Sequence, residues 1–99
     1  MQKTVDDFLN RYNLHTDIVS RFIDVVSEIG ELGKEILTGS NYGKKNLDSN
    51  TLLKNEIGDC LFSLLALCCE AKISAGEALR DALKKYETRF EQKQSIGSE

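Results

Sequence analysis

The run Cys60-Leu61-Phe62-Ser63-Leu64-Leu65-Ala66-Leu67-Cys68-Cys69 carries no charge and a single hydroxyl. Wound at about 100° per residue it is apolar on every side, the pattern of a helix buried all round. That helix begins near Ser49 or Asn50 and reaches about Lys72. A chain of 99 residues hides only about 65% of its unfolded surface on folding, which is too little to enclose such a helix. The expectation is therefore a few long helices, completed by a partner subunit. The run is also about half the roughly 20 residues that span a bilayer, so it is not read as a membrane segment.

Three further helices read outward from it. Ser74-Ala75-Gly76-Glu77 resembles a capping box, with Ile73 and Ala78 as the flanking hydrophobic pair. The helix it opens runs to about Gln94, with an inner stripe of Ala75, Ala78, Leu79, Ala82, Leu83, Tyr86 and Phe90, and residues 95–99 read as a frayed tail. Upstream, a helix starts near Thr16 or Asp17 and runs to about Leu37 on Ile18, Val19, Phe22, Val25, Val26, Ile29, Leu32 and Ile36, with Gly39 as its stop. A short first helix, capped by Thr4, places Val5, Phe8, Leu9 and Tyr12 on one face. Residues 38–49 are polar and read as a loop. With no Pro, no Trp and seven Gly, the chain lacks the regular turn residues of an all-β fold. The reading is one all-α, four-helix bundle-like domain over residues 1–99, its core about 16–92.

Thirteen basic residues against sixteen acidic ones leave a net charge of −3. Binding to polymeric nucleic acid by phosphate neutralisation usually needs the opposite balance. No basic-then-apolar segment opens the chain, so no signal peptide is expected. Cys60, Cys68 and Cys69 are odd in number and lie in the apolar run; they read as small buried hydrophobes of a reducing cytoplasm, not as zinc ligands or disulfides. The lone His15 reads as a surface residue.

The chemistry lies in the carboxylates. Asp24, Glu28, Glu31 and Glu35 fall within one arc of roughly 60° on the second helix. Glu56 and Asp59 share a face of the third, at the entrance to its buried half, where an unpaired charge is expensive. Two antiparallel helices that each offer two carboxylates surround one space with oxygen donors, as in metal-binding bundles. An all-oxygen set selects a hard cation, Mg²⁺ or Mn²⁺. Gly30 and Gly58 sit at matched positions behind the two pairs; a mid-helix Gly costs about 1 kcal/mol against Ala, and close helix packing is the simplest reason for it.

Glu28-x-x-Glu31, a spacer of 24 residues and Glu56-x-x-Asp59 resemble the signature of the MazG-like nucleotide pyrophosphohydrolases. Lys85-Tyr86-Glu87-Thr88-Arg89-Phe90 is similar to that family's K-F-x-x-R-F segment on the following helix. The resemblance covers roughly residues 16–92. It implies an all-α fold that assembles as a dimer or tetramer and hydrolyses nucleoside triphosphates with Mg²⁺ to the monophosphate and pyrophosphate. By position it implies Glu28, Glu31, Glu56 and Asp59 as the metal-binding and catalytic carboxylates, with Lys85 and Arg89 on the substrate phosphates. Ser27 stands where some members carry a further Glu, and Ser63 where many carry Tyr. Phosphoribosyl-ATP pyrophosphohydrolase activity is the alternative within the fold family, and a non-catalytic helical dimerisation module the alternative outside it. Glu35 reads equally as an extra ligand, a base or a solvated side chain.

Overall fold

A computed structural model describes residues 1–47 and 51–97. They form four helices and no strand: α1 (Gln2–Arg11), α2 (Ile18–Gly39), α3 (Thr51–Ala71) and α4 (Ala75–Gly97). The all-α expectation holds, with shifted ends. α1 begins before Thr4, so Thr4 is not its cap. α2 takes Asp17, whose side chain accepts from the Ser20 N–H at 2.7 Å. α4 continues past Gln94 to Gly97, so its backbone is helical where fraying was expected. The cap anticipated at Ser49 or Asn50 lies outside the described residues.

α2 and α3 pair along their length, and α1 crosses onto α3. Arg21 lies near Glu70, while Glu28 lies near Asp59, so α2 and α3 run antiparallel. Leu9 is fully buried, and Phe8 meets Phe62 edge-on at 5.7 Å between ring centroids. Those contacts fasten α1 to the middle of α3. The apolar run is not enclosed as its pattern implies: Leu65 and Ala66 are buried, but Leu61 is 40% and Leu64 49% exposed. Within one chain α3 has neighbours only on the sides that α1 and α2 occupy. The three cysteines are free and half-buried for the same reason.

α4 packs along none of the other helices. Its stripe of Leu79, Leu83, Tyr86 and Phe90 is open to solvent. The radius of gyration, 17.6 Å, accordingly exceeds the roughly 13 Å of a compact chain this long. The direction of α4 is set at its first turn. Lys72 ends α3 in the left-handed region at φ 56°, and Ser74 Oγ accepts from the Glu77 N–H at 3.2 Å. The Gln2 side chain then forks across the turn: its amide donates to the Ile73 carbonyl at 2.8 Å and its oxygen accepts from the Ala75 N–H at 2.7 Å.

His15 is exposed, as expected, and also ties α1 to α3. It donates through Nδ1 to Glu70, which also accepts from the Thr16 N–H, and Nε2 lies 3.5 Å from Asp6. The Glu70 side chain is only 4% exposed. Burial would push its carboxyl up, but the bonds from His15 and Thr16 and the charges of His15 and Arg21 together hold it below the ordinary value of 4.5. The Glu70 charge therefore stabilises the fold fully above pH 4.5, and that contribution is lost as the pH falls through the lowered value. Glu70→Gln is expected to cost about 1.5–3 kcal/mol at pH 7, a gap from the parent that closes below pH 4.5 in denaturant titrations.

The packing expected at Gly30 and Gly58 is absent within the chain: a Cβ at either would meet nothing within 4 Å. Both glycines face away from the α2–α3 contact. Gly30→Ala and Gly58→Ala are each expected to raise stability by about 0.5–1 kcal/mol in the same titrations. A loss would show that another surface closes on the glycine. At Gly39 the space is filled instead, with Leu47 Cδ1 only 2.6 Å from where a Cβ would stand. There the loop folds back on α2 through Leu47, while the C-cap Ser40 donates its hydroxyl to the Ile36 carbonyl at 2.7 Å.

Candidate metal and phosphate site

The antiparallel register of α2 and α3 brings three carboxylates to one place. Oxygens of Glu28, Glu56 and Asp59 all lie within 4.8 Å of one another. Glu28 and Glu56 are half-buried and Asp59 is exposed, so the group opens to solvent on one side. Burial, then the charges of Asp59, Glu31, Glu28 and Glu35, push the Glu56 carboxyl above the ordinary value of 4.5. Five acidic groups thus share one field, and Glu56 is the one that both helices press upon. Cys60 is affected similarly: burial, then Glu28, Glu56 and Asp59, push its thiol up and keep it un-ionised.

The sequence-predicted residues separate into three positions. Glu28, Glu56 and Asp59 form the group. Glu31 is exposed and outside the close triad; it acts on Glu56 through charge, as does Glu35. Asp24, on the same arc, is 3.8 Å from Arg21 and is taken up by that ion pair. Lys85 and Arg89 stand on α4, on the helix that packs along no other. Both flank the Tyr86 ring, Lys85 Nζ at 4.9 Å and the Arg89 guanidinium carbon at 5.9 Å from its centroid. With Asp81, Lys84 and Thr88 they border a shallow hollow of about 410 Å³. The chain does not carry these two cations to its own carboxylates.

Beside the carboxylates lies a feature that the helical reading passed over. Val25, Ile29, Ile57, Cys60, Leu61 and Leu64 line an apolar groove of about 300 Å³ between α2 and α3. Glu28, Glu56 and Asp59 each precede a groove residue in sequence, so the acidic group forms its edge. The signal was present in the all-round apolarity of α3, which implies a face that α2 and α1 cannot both cover.

Close carboxylates whose charges push Glu56 up fit a hard divalent cation, which removes the repulsion by binding. All-oxygen donors, with no imidazole in the group, suit Mg²⁺ or Mn²⁺ better than a softer metal. Among the described residues no helix is long and apolar enough to cross a membrane. The family model for the MazG nucleotide pyrophosphohydrolase domain matches residues 20–93, from the start of α2 through most of α4. No curated protein and no solved structure matches the chain.

Proposed function

For a chain that belongs to the MazG nucleotide pyrophosphohydrolase domain family, we propose Mg²⁺-dependent hydrolysis of a nucleoside triphosphate or deoxynucleoside triphosphate to the monophosphate and pyrophosphate. The observation that carries the reading is the convergence of Glu28, Glu56 and Asp59 within 4.8 Å, inside the matched segment. Glu28, Glu31, Glu56 and Asp59 would hold the cation, the three of the close triad supported by their convergence and Glu31 by its place one turn along α2. Mg²⁺, or Mn²⁺ in its place, would supply charge neutralisation for the polyphosphate and favour ionisation of the attacking water.

The chain's own residues do the rest. Glu35, one turn beyond Glu31 beside the triad, would take the proton that water loses. The water oxygen bonds to the α-phosphorus, the bond to the bridging oxygen breaks, and its electron pair leaves with pyrophosphate. Lys85 and Arg89, four residues apart on one face of α4, clamp adjacent phosphoryl groups and offset their growing charge. The exposed apolar faces of α3 and α4 support self-association in a homodimer or homotetramer. The test is a screen of canonical and modified nucleoside triphosphates, and of phosphoribosyl-ATP, with Mg²⁺ or Mn²⁺. Monophosphate and pyrophosphate in equal amounts are expected. Turnover of phosphoribosyl-ATP alone would select that alternative, and no turnover of any substrate would leave a helical module without catalysis.

A further inference from the structure

We propose that Gln2, on α1, is a positioning residue for the phosphate clamp: it locks the joint that aims α4 and so places Lys85 and Arg89. The inference rests on the phosphate role given to those cations above and adds what holds them in place. α1 itself precedes the matched segment 20–93.

Lys72, Ile73 and Ser74 join α3 to α4. The first two belong mechanically to α3. Lys72 is left-handed at φ 56°, its N–H donates to the Cys69 carbonyl at 3.2 Å, and the Ile73 N–H donates to the Cys68 carbonyl at 3.0 Å. Ser74 belongs to α4. Its hydroxyl accepts from the Glu77 N–H at 3.2 Å and its carbonyl from the Ala78 N–H at 3.0 Å. The rotation left between the two helices lies in the peptide groups on either side of Ser74. Gln2 bonds both of them, donating to the Ile73 carbonyl at 2.8 Å and accepting from the Ala75 N–H at 2.7 Å. One planar amide thus bridges the joint.

The bridge comes from a fastened helix. The Gln2 carbonyl accepts from the Cys69 thiol at 3.9 Å, Leu9 is fully buried, and Phe8 meets Phe62. Farther along, α4 packs along no other helix, so its first turn sets its direction.

The lever is long. At about 1.5 Å per residue, Lys85 stands about 15 Å and Arg89 about 21 Å beyond Ala75. A swing of about 10° at Ser74 moves them by about 3 Å and about 4 Å respectively. Both cationic heads lie against the Tyr86 ring, so they travel with the helix. A misplacement of about 1 Å can cost about a hundredfold in rate.

Two measurements test the assignment, one of them independent of turnover. Gln2→Met keeps the length of the side chain and removes both bonds. Residual dipolar couplings of the backbone N–H groups give the direction of α4 relative to α3 in the parent and in the variant. The variant is expected to show a changed angle, or α4 couplings scaled down against those of α3. Couplings identical to the parent's would overturn the proposal. Should Gln2→Met fail to fold, Gln2→Glu carries the same test, because it keeps the acceptor for Ala75 and loses the donor to Ile73.

The second measurement is kcat/KM, with Mg²⁺ and a nucleoside triphosphate, on the parent and on the Lys85→Ala, Arg89→Ala double variant. Adding Gln2→Met to the parent is expected to lower it about ten- to a hundredfold, with the Mg²⁺ melting response kept. Adding it to the double variant should cost nothing more, because the clamp that Gln2 aims is already gone. An equal loss on both backgrounds would mark a merely structural residue, and no loss on either would sever α4 from Gln2; each overturns the proposal and leaves the pyrophosphohydrolase reading standing. An inactive parent whose α4 loosens in Gln2→Met would overturn that reading and the clamp with it, while keeping Gln2 as the lock of the joint.

Discussion

Glu56→Gln is expected to lower kcat/KM by about a thousandfold or more while raising the melting temperature of the cation-free protein. The two effects have one cause. Burial and four neighbouring carboxylates already disfavour the Glu56 charge, so without a cation its removal relieves repulsion. Because its pKa is raised in the folded state, the parent recovers that stability by protonation as the pH falls. The difference in melting temperature should therefore be present at pH 7 and vanish below pH 4.5. Adding Mg²⁺ reverses the order. A cation bound only by the native state contributes about 2.7 kcal/mol at a hundred times its Kd, which is roughly 10–20 °C for a domain of this size. The parent should show that rise and Glu56→Gln should lose most of it. The activity loss follows from removing several kcal/mol of charge stabilisation from the transition state. An undiminished Mg²⁺ response in both Glu56→Gln and Asp59→Asn would place the cation elsewhere.

The second large effect belongs to α4. Lys85→Ala and Arg89→Ala are each expected to lower kcat/KM roughly ten- to a hundredfold, the loss of one charge-assisted contact worth about 1.5–3 kcal/mol. Both should keep the full Mg²⁺ melting response, since both stand on α4, which packs along no other helix of the chain. That separation distinguishes a phosphate clamp from a structural role. Steady-state kinetics and thermal melts on the same preparations measure both quantities. Kinetics unchanged in both variants would return Lys85 and Arg89 to the solvated face of α4.

The helices and the pairing of the two acidic motifs were legible in the sequence because both depend on local periodicity. A three-residue spacing fixes a shared face wherever the helix goes, and antiparallel pairing of neighbouring helices then brings Glu28 to Glu56 and Asp59. Glu31 shows the limit of that argument: it shares an arc with Glu28, yet one turn along α2 it stands outside the close triad. The Gln2 fork was illegible, because it joins residues 71 and 73 positions apart through one flexible amide. So was the role of His15, whose partner Glu70 is 55 positions away. Gly30 and Gly58 misled for a related reason. Their spacing records which side of each helix lacks a side chain, but not whether anything stands opposite.

Water attacks the α-phosphorus of a nucleotide held at these carboxylates in the mechanism proposed above. Turnover in water enriched in ¹⁸O, followed by mass spectrometry of both products, tests it most directly. One heavy oxygen in the nucleoside monophosphate and none in pyrophosphate is the predicted result. Label found in pyrophosphate, or orthophosphate as the first product, would contradict the account.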